Sequence, residues 1–166
     1  IEFMLGREIF FGEDIAELLQ ENVVSTLNDT DYALIEFHPT ATADYIAQSL
    51  YKVENAGYTP VLAHIERYPD LFKNIKMIEQ IIEGGAYIQV NASSVEGRLG
   101  GGVKRQIIKM MKKGLVHFVA TDAHSNRSRA PQLEECIRYI EKKLGSDYVK
   151  KLFIDNPEKM VHNEYI

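Results

Sequence analysis

Five polar residues stand at the ends of apolar runs at a nearly constant interval: Glu8, Glu36, His64, Asn91 and Asp122, separated by 28, 28, 27 and 31 residues. No other feature constrains the fold as strongly, because this interval is the length of one strand, one helix and their connections. "DYALIEF" reads as a buried strand, and "TPVLAH", "AYIQVN" and "LVHFVAT" read as further strands. Between and around them, "GEDIAELLQEN", "TADYIAQSLYKVENAG", "IKMIEQIIEGG", "GVKRQIIKMMKKG" and "APQLEECIRYIEKKLG" carry helical periodicity. Thr42 and Asn74 are placed to cap two of these helices, and Gly57 and the pair Gly84-Gly85 to end them. Pro131 marks another helix start. A short helix near "SDYVKKLF" and a last turn in "NPEKMVHNEYI" close the chain. The segments do not resemble one another, so the interval is the pitch of a βα unit and not a sequence repeat.

Strands separated by helices pair in parallel through right-handed crossovers. In a βα barrel all the carboxyl ends open on one face, so residues one unit apart converge on one pocket. In an open sheet they would line an edge instead. Here they would bring together two glutamates, a histidine and an aspartate, with His124 following Asp122. Carboxylates packed so closely repel one another and take up protons unless a cation neutralises them. A divalent metal resolves this, and mixed oxygen and nitrogen donors suit manganese, iron or zinc. Several metals with a carboxylate bridging two would suit better still. Glu8, Glu36, His64, Asp122 and His124 are therefore the expected metal ligands. The plain alternatives are a surface role for Glu8 and a backbone-bonded core role for His64. Glu36 directly follows "YALI", where a carboxylate is costly unless paired or metal-bound.

Arg67 lies three residues beyond His64, and Arg127 and Arg129 follow His124. Arginines on the loops of such a pocket suit a phosphate, which they hold through bidentate, charge-assisted hydrogen bonds. Arg67 and Arg129 are assigned that role, and Arg127 reads as a solvated loop residue. "GRLGGGVKR" lacks the Lys-Ser/Thr ending of a P-loop and reads as a flexible connection. His38, His117 and His162 have no partner at the interval. Strand alternation turns His117 toward the helices, away from Asp122, in a structural role.

The chain of 166 residues reads as a single domain, 1–166. Its net charge of -5 and dispersed basic residues argue against a nucleic-acid surface. Cys136 is the only cysteine, so no internal disulfide forms and a reducing cytoplasm is the natural setting. It sits within a helical pattern and reads as a core residue rather than a nucleophile. No apolar run approaches ~18 residues, so no membrane insertion is expected. A closed barrel needs seven or eight strands and this chain shows about five, so two or three N-terminal βα units are expected to be missing.

"GREIF", "YALIEF", "PVLAHIERY" and "LVHFVATDAHSNRSRAP" resemble, in order and spacing, the polymerase-and-histidinol-phosphatase (PHP) superfamily. Within it they are most similar to the manganese-dependent tyrosine phosphatases of bacterial capsule and exopolysaccharide operons, the CpsB/YwqE type. The resemblance covers essentially the whole chain. It implies an α/β fold, a distorted TIM-like (β/α)7 barrel with up to three metals, here incomplete at its N-terminal end. By motif, Glu8 matches the carboxylate bridging two metals, and Glu36 and His64 match the remaining protein ligands of the second. Asp122 matches a ligand of the first metal and His124 one of the third, while Arg67 and Arg129 match the arginines holding the substrate phosphate. Asn91 matches no ligand.

The resemblance also implies an N-terminal His-x-His strand, an acidic loop and a further histidine, none of which occurs here. The chain therefore looks like the C-terminal two-thirds of such an enzyme, weak or inactive by itself. The implied substrate is the phosphotyrosine tail of a membrane-associated capsule-assembly tyrosine kinase, and Cys136 takes no part. One rival reading is a histidinol-phosphatase-like small-molecule phosphoesterase of the same superfamily. Another is a non-catalytic binding or homo-oligomerisation module, since an open barrel exposes sheet edges.

Overall fold

In the computed structural model, which describes residues 3–125, 127 and 130–166, apolar runs of three to five residues become the strands of one parallel sheet. They are β1 (Glu8–Phe10), β2 (Tyr32–Glu36), β3 (Thr59–Leu62), β4 (Tyr87–Asn91) and β5 (Phe118–Ala120). The strands lie side by side in sequence order, each parallel to the next. A doubly wound sheet reverses its order at a switch point; this one does not, so its crossovers all run the same way and leave the helices between strands on one face.

The helices are α1 (Ile15–Gln20), α2 (Ala43–Asn55), α3 (Pro69–Phe72), α4 (Ile75–Glu83), α5 (Ala92–Glu96), α6 (Gly101–Lys112), α7 (Glu134–Leu144), α8 (Ser146–Lys150) and α9 (Asn156–Val161). Thr42 Oγ1 accepts from Tyr45 N at the start of α2, and Asn74 Oδ1 accepts from Met77 N at the start of α4. Gly57 adopts the left-handed backbone (φ 94°) that lets the chain leave α2. Pro131 does not open a helix: α7 starts three residues later, at Glu134. Among the described residues no helix is long and apolar enough to cross a membrane.

Strand alternation divides the core in two. Ile9, Ala33, Ile35, Leu62, Ile88, Val90 and Val119 face the helices and pack on Ile46, Leu50, Ile78, Ile107, Met110, Cys136 and Ile140. Burial pushes the Cys136 thiol up to about 12, so it is a packing residue and not a thiolate. The opposite face carries Tyr32, Val61 and Phe118 with Leu34 and Tyr87, partly covered by Met160 and Ile166. Tyr32 Oη donates to the Glu164 carbonyl (2.5 Å), and Ile166 N donates to Tyr87 Oη (3.0 Å), tying the chain end to this face.

His117 is structural, buried beside β4 and near Lys151 and Asn156. It precedes the paired residues of β5, so strand parity does not govern it. Its N–H donates to the Ile88 carbonyl, its Nδ1 accepts from Ile88 N (3.1 Å), and its ring meets the edge of Tyr87 at 4.9 Å. Burial pushes this imidazole down to about 4, and the nearby Lys151 charge acts in the same direction.

Candidate functional site

The polar residues predicted at the strand ends occupy one end of the face opposite the helices, though at different heights. Glu36 closes β2 and Asn91 closes β4, while His64 and Asp122 lie two residues past β3 and β5. Glu8 differs from expectation: it opens β1, in register with Leu34, one strand pair below Glu36. Its long side chain still reaches the group. Glu8 Oε1 lies 2.6 Å and Glu36 Oε2 3.3 Å from His64 Nε2.

Ligand atoms of Glu8, Glu36 and His64 all lie within 4.8 Å of one another. His64 is 3% exposed, and its buried Nε2 finds no hydrogen bond of acceptable geometry despite the two carboxylates beside it. A ring nitrogen that faces two carboxylate oxygens without bonding either offers its lone pair to a cation. With the ring proton on Nδ1, directed at Tyr68 Oη 3.4 Å away, Nε2 is free to coordinate. Tyr68 Oη in turn accepts from Phe37 N (3.0 Å), and burial holds the phenol above its ordinary range. Two carboxylates and an imidazole form a donor set that fits a manganese-, iron- or zinc-type divalent cation.

Asp122 and His124 are not part of that group. Asp122 is paired with the Arg67 guanidinium and accepts from Asn91 Nδ2 (3.0 Å) through the same Oδ2. His124 is exposed, and its Nδ1 lies 2.9 Å from the Asp122 carbonyl and 3.4 Å from Asp122 Oδ1. Asp122 nevertheless lines the same cavity as Glu8 and His64, a hollow of about 290 Å³ that also touches Gln89, Asn91 and Met160. Arg129 lies outside the described residues.

A chain of amides links the two halves. His64 N donates to Gln89 Oε1, Gln89 Nε2 donates to Asn91 Oδ1 (3.0 Å), and Asn91 Nδ2 donates to Asp122. Asn91 N itself donates to Glu66 Oε1 (2.9 Å), a buried carboxyl whose pKa burial raises. Both ends of the chain carry unusual backbone: His64 (φ 32°) and Asp122 (φ 51°) are left-handed without being glycine. Sequence reasoning missed Gln89 and Tyr68. The available signal for Gln89 was a polar residue inside an apolar strand, on the same parity as Asn91.

Comparison with known proteins places this geometry in a family. Residues 1–162 match the family model described as capsular polysaccharide synthesis, CpsB/CapC. The chain is 37% identical over 166 residues to the tyrosine-protein phosphatase CpsB of Streptococcus pneumoniae, covering 97% of this chain and 68% of that protein. It is 32% identical over 161 residues to the tyrosine-protein phosphatase YwqE of Bacillus subtilis, covering 97% of this chain and 63% of that one. Among solved structures, a chain from the crystal structures of YwqE from Bacillus subtilis and CpsB from Streptococcus pneumoniae, described as unique metal-dependent tyrosine phosphatases, superposes with a TM-score of 0.88. Identity there is 32%, over 97% of this chain and 65% of that chain, so the present chain spans about two thirds of its relatives. The strand order, the carboxylate–imidazole cluster and these likenesses agree: the chain belongs to the CpsB/CapC family of capsular polysaccharide synthesis.

Proposed function

We propose that this chain is the larger part of a divalent-metal-dependent phosphatase that hydrolyses phosphotyrosine on proteins. The observation that carries the reading is the convergence of Glu8 and Glu36 on the unbonded Nε2 of buried His64, with Arg67 across the same cavity wall. These three side chains would hold one cation, with Glu8 free to bridge to a second. A bound divalent cation supplies Lewis-acid activation of water and neutralisation of phosphate charge. Arg67 holds the phosphate oxygens as charge builds on them, and Asp122 keeps its guanidinium in place. Tyr68 orients the His64 ring, and the Gln89–Asn91 pair fixes the backbone of His64 and the carboxylate of Asp122.

Several finer points belong to the same proposal. The sheet is part of a distorted PHP-type (β/α)7 barrel whose remaining units lie outside this chain. Asp122 and His124 contribute to the further metal positions that those units complete, and Arg129 joins Arg67 on the phosphate. Manganese is the native metal, the protein works in the cytoplasm, and its substrate is the tyrosine-phosphorylated segment of a capsule-assembly kinase. The relatives' names as tyrosine-protein phosphatases and the capsular polysaccharide family they share support the phosphatase and capsule assignments.

Isothermal titration with Mn²⁺ tests the site, and paired assays with a phosphotyrosyl peptide and histidinol phosphate test the substrate. The expected result is metal binding that Glu36→Gln weakens, together with turnover, even slow, of the peptide above histidinol phosphate. Preference for histidinol phosphate would overturn the substrate. No saturable binding of Mn²⁺, iron or zinc would overturn the metal site and favour a binding module.

A further inference from the structure

The pairing of β3 with β4 stops at Leu62 and Ile88, because the chain leaves β3 at left-handed His64 and winds into the single turn Ile65–Arg67. Strand β4 continues to Asn91, which still pairs with Ala120 of β5. On its other side the Asn91 N–H has lost its neighbouring strand, and a buried N–H is costly to leave without an acceptor. Glu66 supplies one. It lies in the turn after β3, is 6% exposed, and its Oε1 accepts from Asn91 N (2.9 Å). The Ser94 hydroxyl in α5 also bears on this carboxyl, while Oε2 finds no hydrogen bond of acceptable geometry.

Asn91 stands at the N-cap of α5, where a side chain ordinarily turns onto the N–H groups of its own helix. This amide does not. Its Oδ1 accepts from Gln89 Nε2 (3.0 Å), and its Nδ2 donates to Asp122 Oδ2 (3.0 Å), which also accepts from Arg67 Nη2. The contacts close into a circuit: Glu66 to Asn91, Asn91 to Asp122, Asp122 to Arg67, and Arg67 back to Glu66 through one peptide bond. Two adjacent side chains of one turn thus point opposite ways. Glu66 enters the interior, and Arg67 enters a cleft of about 690 Å³ that Asn91 and Asp122 also line.

We infer that Glu66 is a positioning residue for the phosphate-binding guanidinium. By holding Asn91 N it keeps the Asn91 amide aimed at Asp122, and Asp122 then keeps Arg67 directed into the cleft. The inference rests on the reading of Arg67 as the group that holds phosphate, and it names what places that group. The reach of an acceptor oxygen matters here, and the charge does not. His64 is held separately, through its own N–H on Gln89 Oε1 and its ring against Tyr68, so the metal ligands do not depend on Glu66.

Isothermal titration of the Mn²⁺-saturated chain with inorganic phosphate tests this without relying on turnover, with Mn²⁺ affinity titrated in parallel. Glu66→Met, close in length but without an acceptor, should weaken phosphate binding about tenfold and change Mn²⁺ affinity by less than about twofold. Glu66→Gln keeps an oxygen for Asn91 N and should hold phosphate within about threefold of the unaltered protein. Glu66→Asp keeps the charge but is one methylene short, so it should lose phosphate as the Met variant does, and it carries the test if Glu66→Met does not fold. In an Arg67→Gln background, Glu66→Met should cost no further phosphate affinity, because its effect runs through Arg67. Unchanged phosphate binding in the Met or Asp variant overturns the role. So does a Gln variant as weak as the Met variant, a matching fall in Mn²⁺ affinity, or a loss that adds to that of Arg67→Gln. No phosphate binding by the unaltered protein would instead strike at the reading of Arg67, so the two failures are separable.

Discussion

His64 concentrates several demands on one residue: a buried ring, a left-handed backbone, a Tyr68 contact at Nδ1 and two carboxylates at Nε2. Its partners should therefore be sensitive to small changes. Glu36→Gln keeps the shape but removes a charge, and Mn²⁺ affinity by isothermal titration should fall by tenfold or more with the circular dichroism spectrum unchanged. His117 makes a different prediction. Its pKa is depressed on folding to about 4, so the unfolded chain binds the extra proton between that value and its ordinary 6.5. Stability from this residue is present above that window and is lost as pH falls through it, by about 3 kcal/mol at most. Denaturant midpoints from pH 7 to pH 4 should fall more steeply in the unaltered protein than in His117→Gln. Much at this scale was legible in the sequence. Glu8, Glu36 and His64 stand out because a polar side chain closing or flanking an apolar strand needs a reason. Gln89 did not stand out, since its partners are brought to it only by the pairing of β4 with its neighbours.

Elements carry the site through the ladder between β3, β4 and β5, where the amides of Gln89 and Asn91 tie His64 to Asp122. Asn91→Leu, similar in size but without a donor, should lower stability by about 2 kcal/mol in urea titration because a buried acceptor loses a partner. It should also weaken inorganic phosphate binding, as Asp122 no longer steadies Arg67. Caps were readable in advance: Thr42 and Asn74 bond as their positions demand. The start of α7 was not, because proline is compatible with a first helical turn without compelling one. Helix α5 was missed as well, its five residues being too few to show a period.

For the molecule as a whole, the parallel direction of the strands followed from their alternation with helices, since such crossovers return each strand in the same direction. The covering of the opposite face was not foreseen. It depends on hydrogen bonds between residues more than a hundred positions apart, such as Tyr32 with Glu164 and Asp31 N with Asn163 Oδ1 (2.8 Å). Removing residues 163–166 should therefore destabilise the fold by about 2–3 kcal/mol, seen as a lower urea midpoint, and expose Tyr32 and Tyr87 to a hydrophobic dye. The left-handed backbone at His64 and Asp122 has a consequence at this scale too. Each such residue lowers stability by roughly 1–3 kcal/mol, a burden the rest of the fold must carry whether or not anything is bound. Selection for heat resistance alone would relax both positions toward glycine or asparagine and erase the chemistry. A cation held by Glu8, Glu36 and His64, binding only the folded chain, would offset part of that burden.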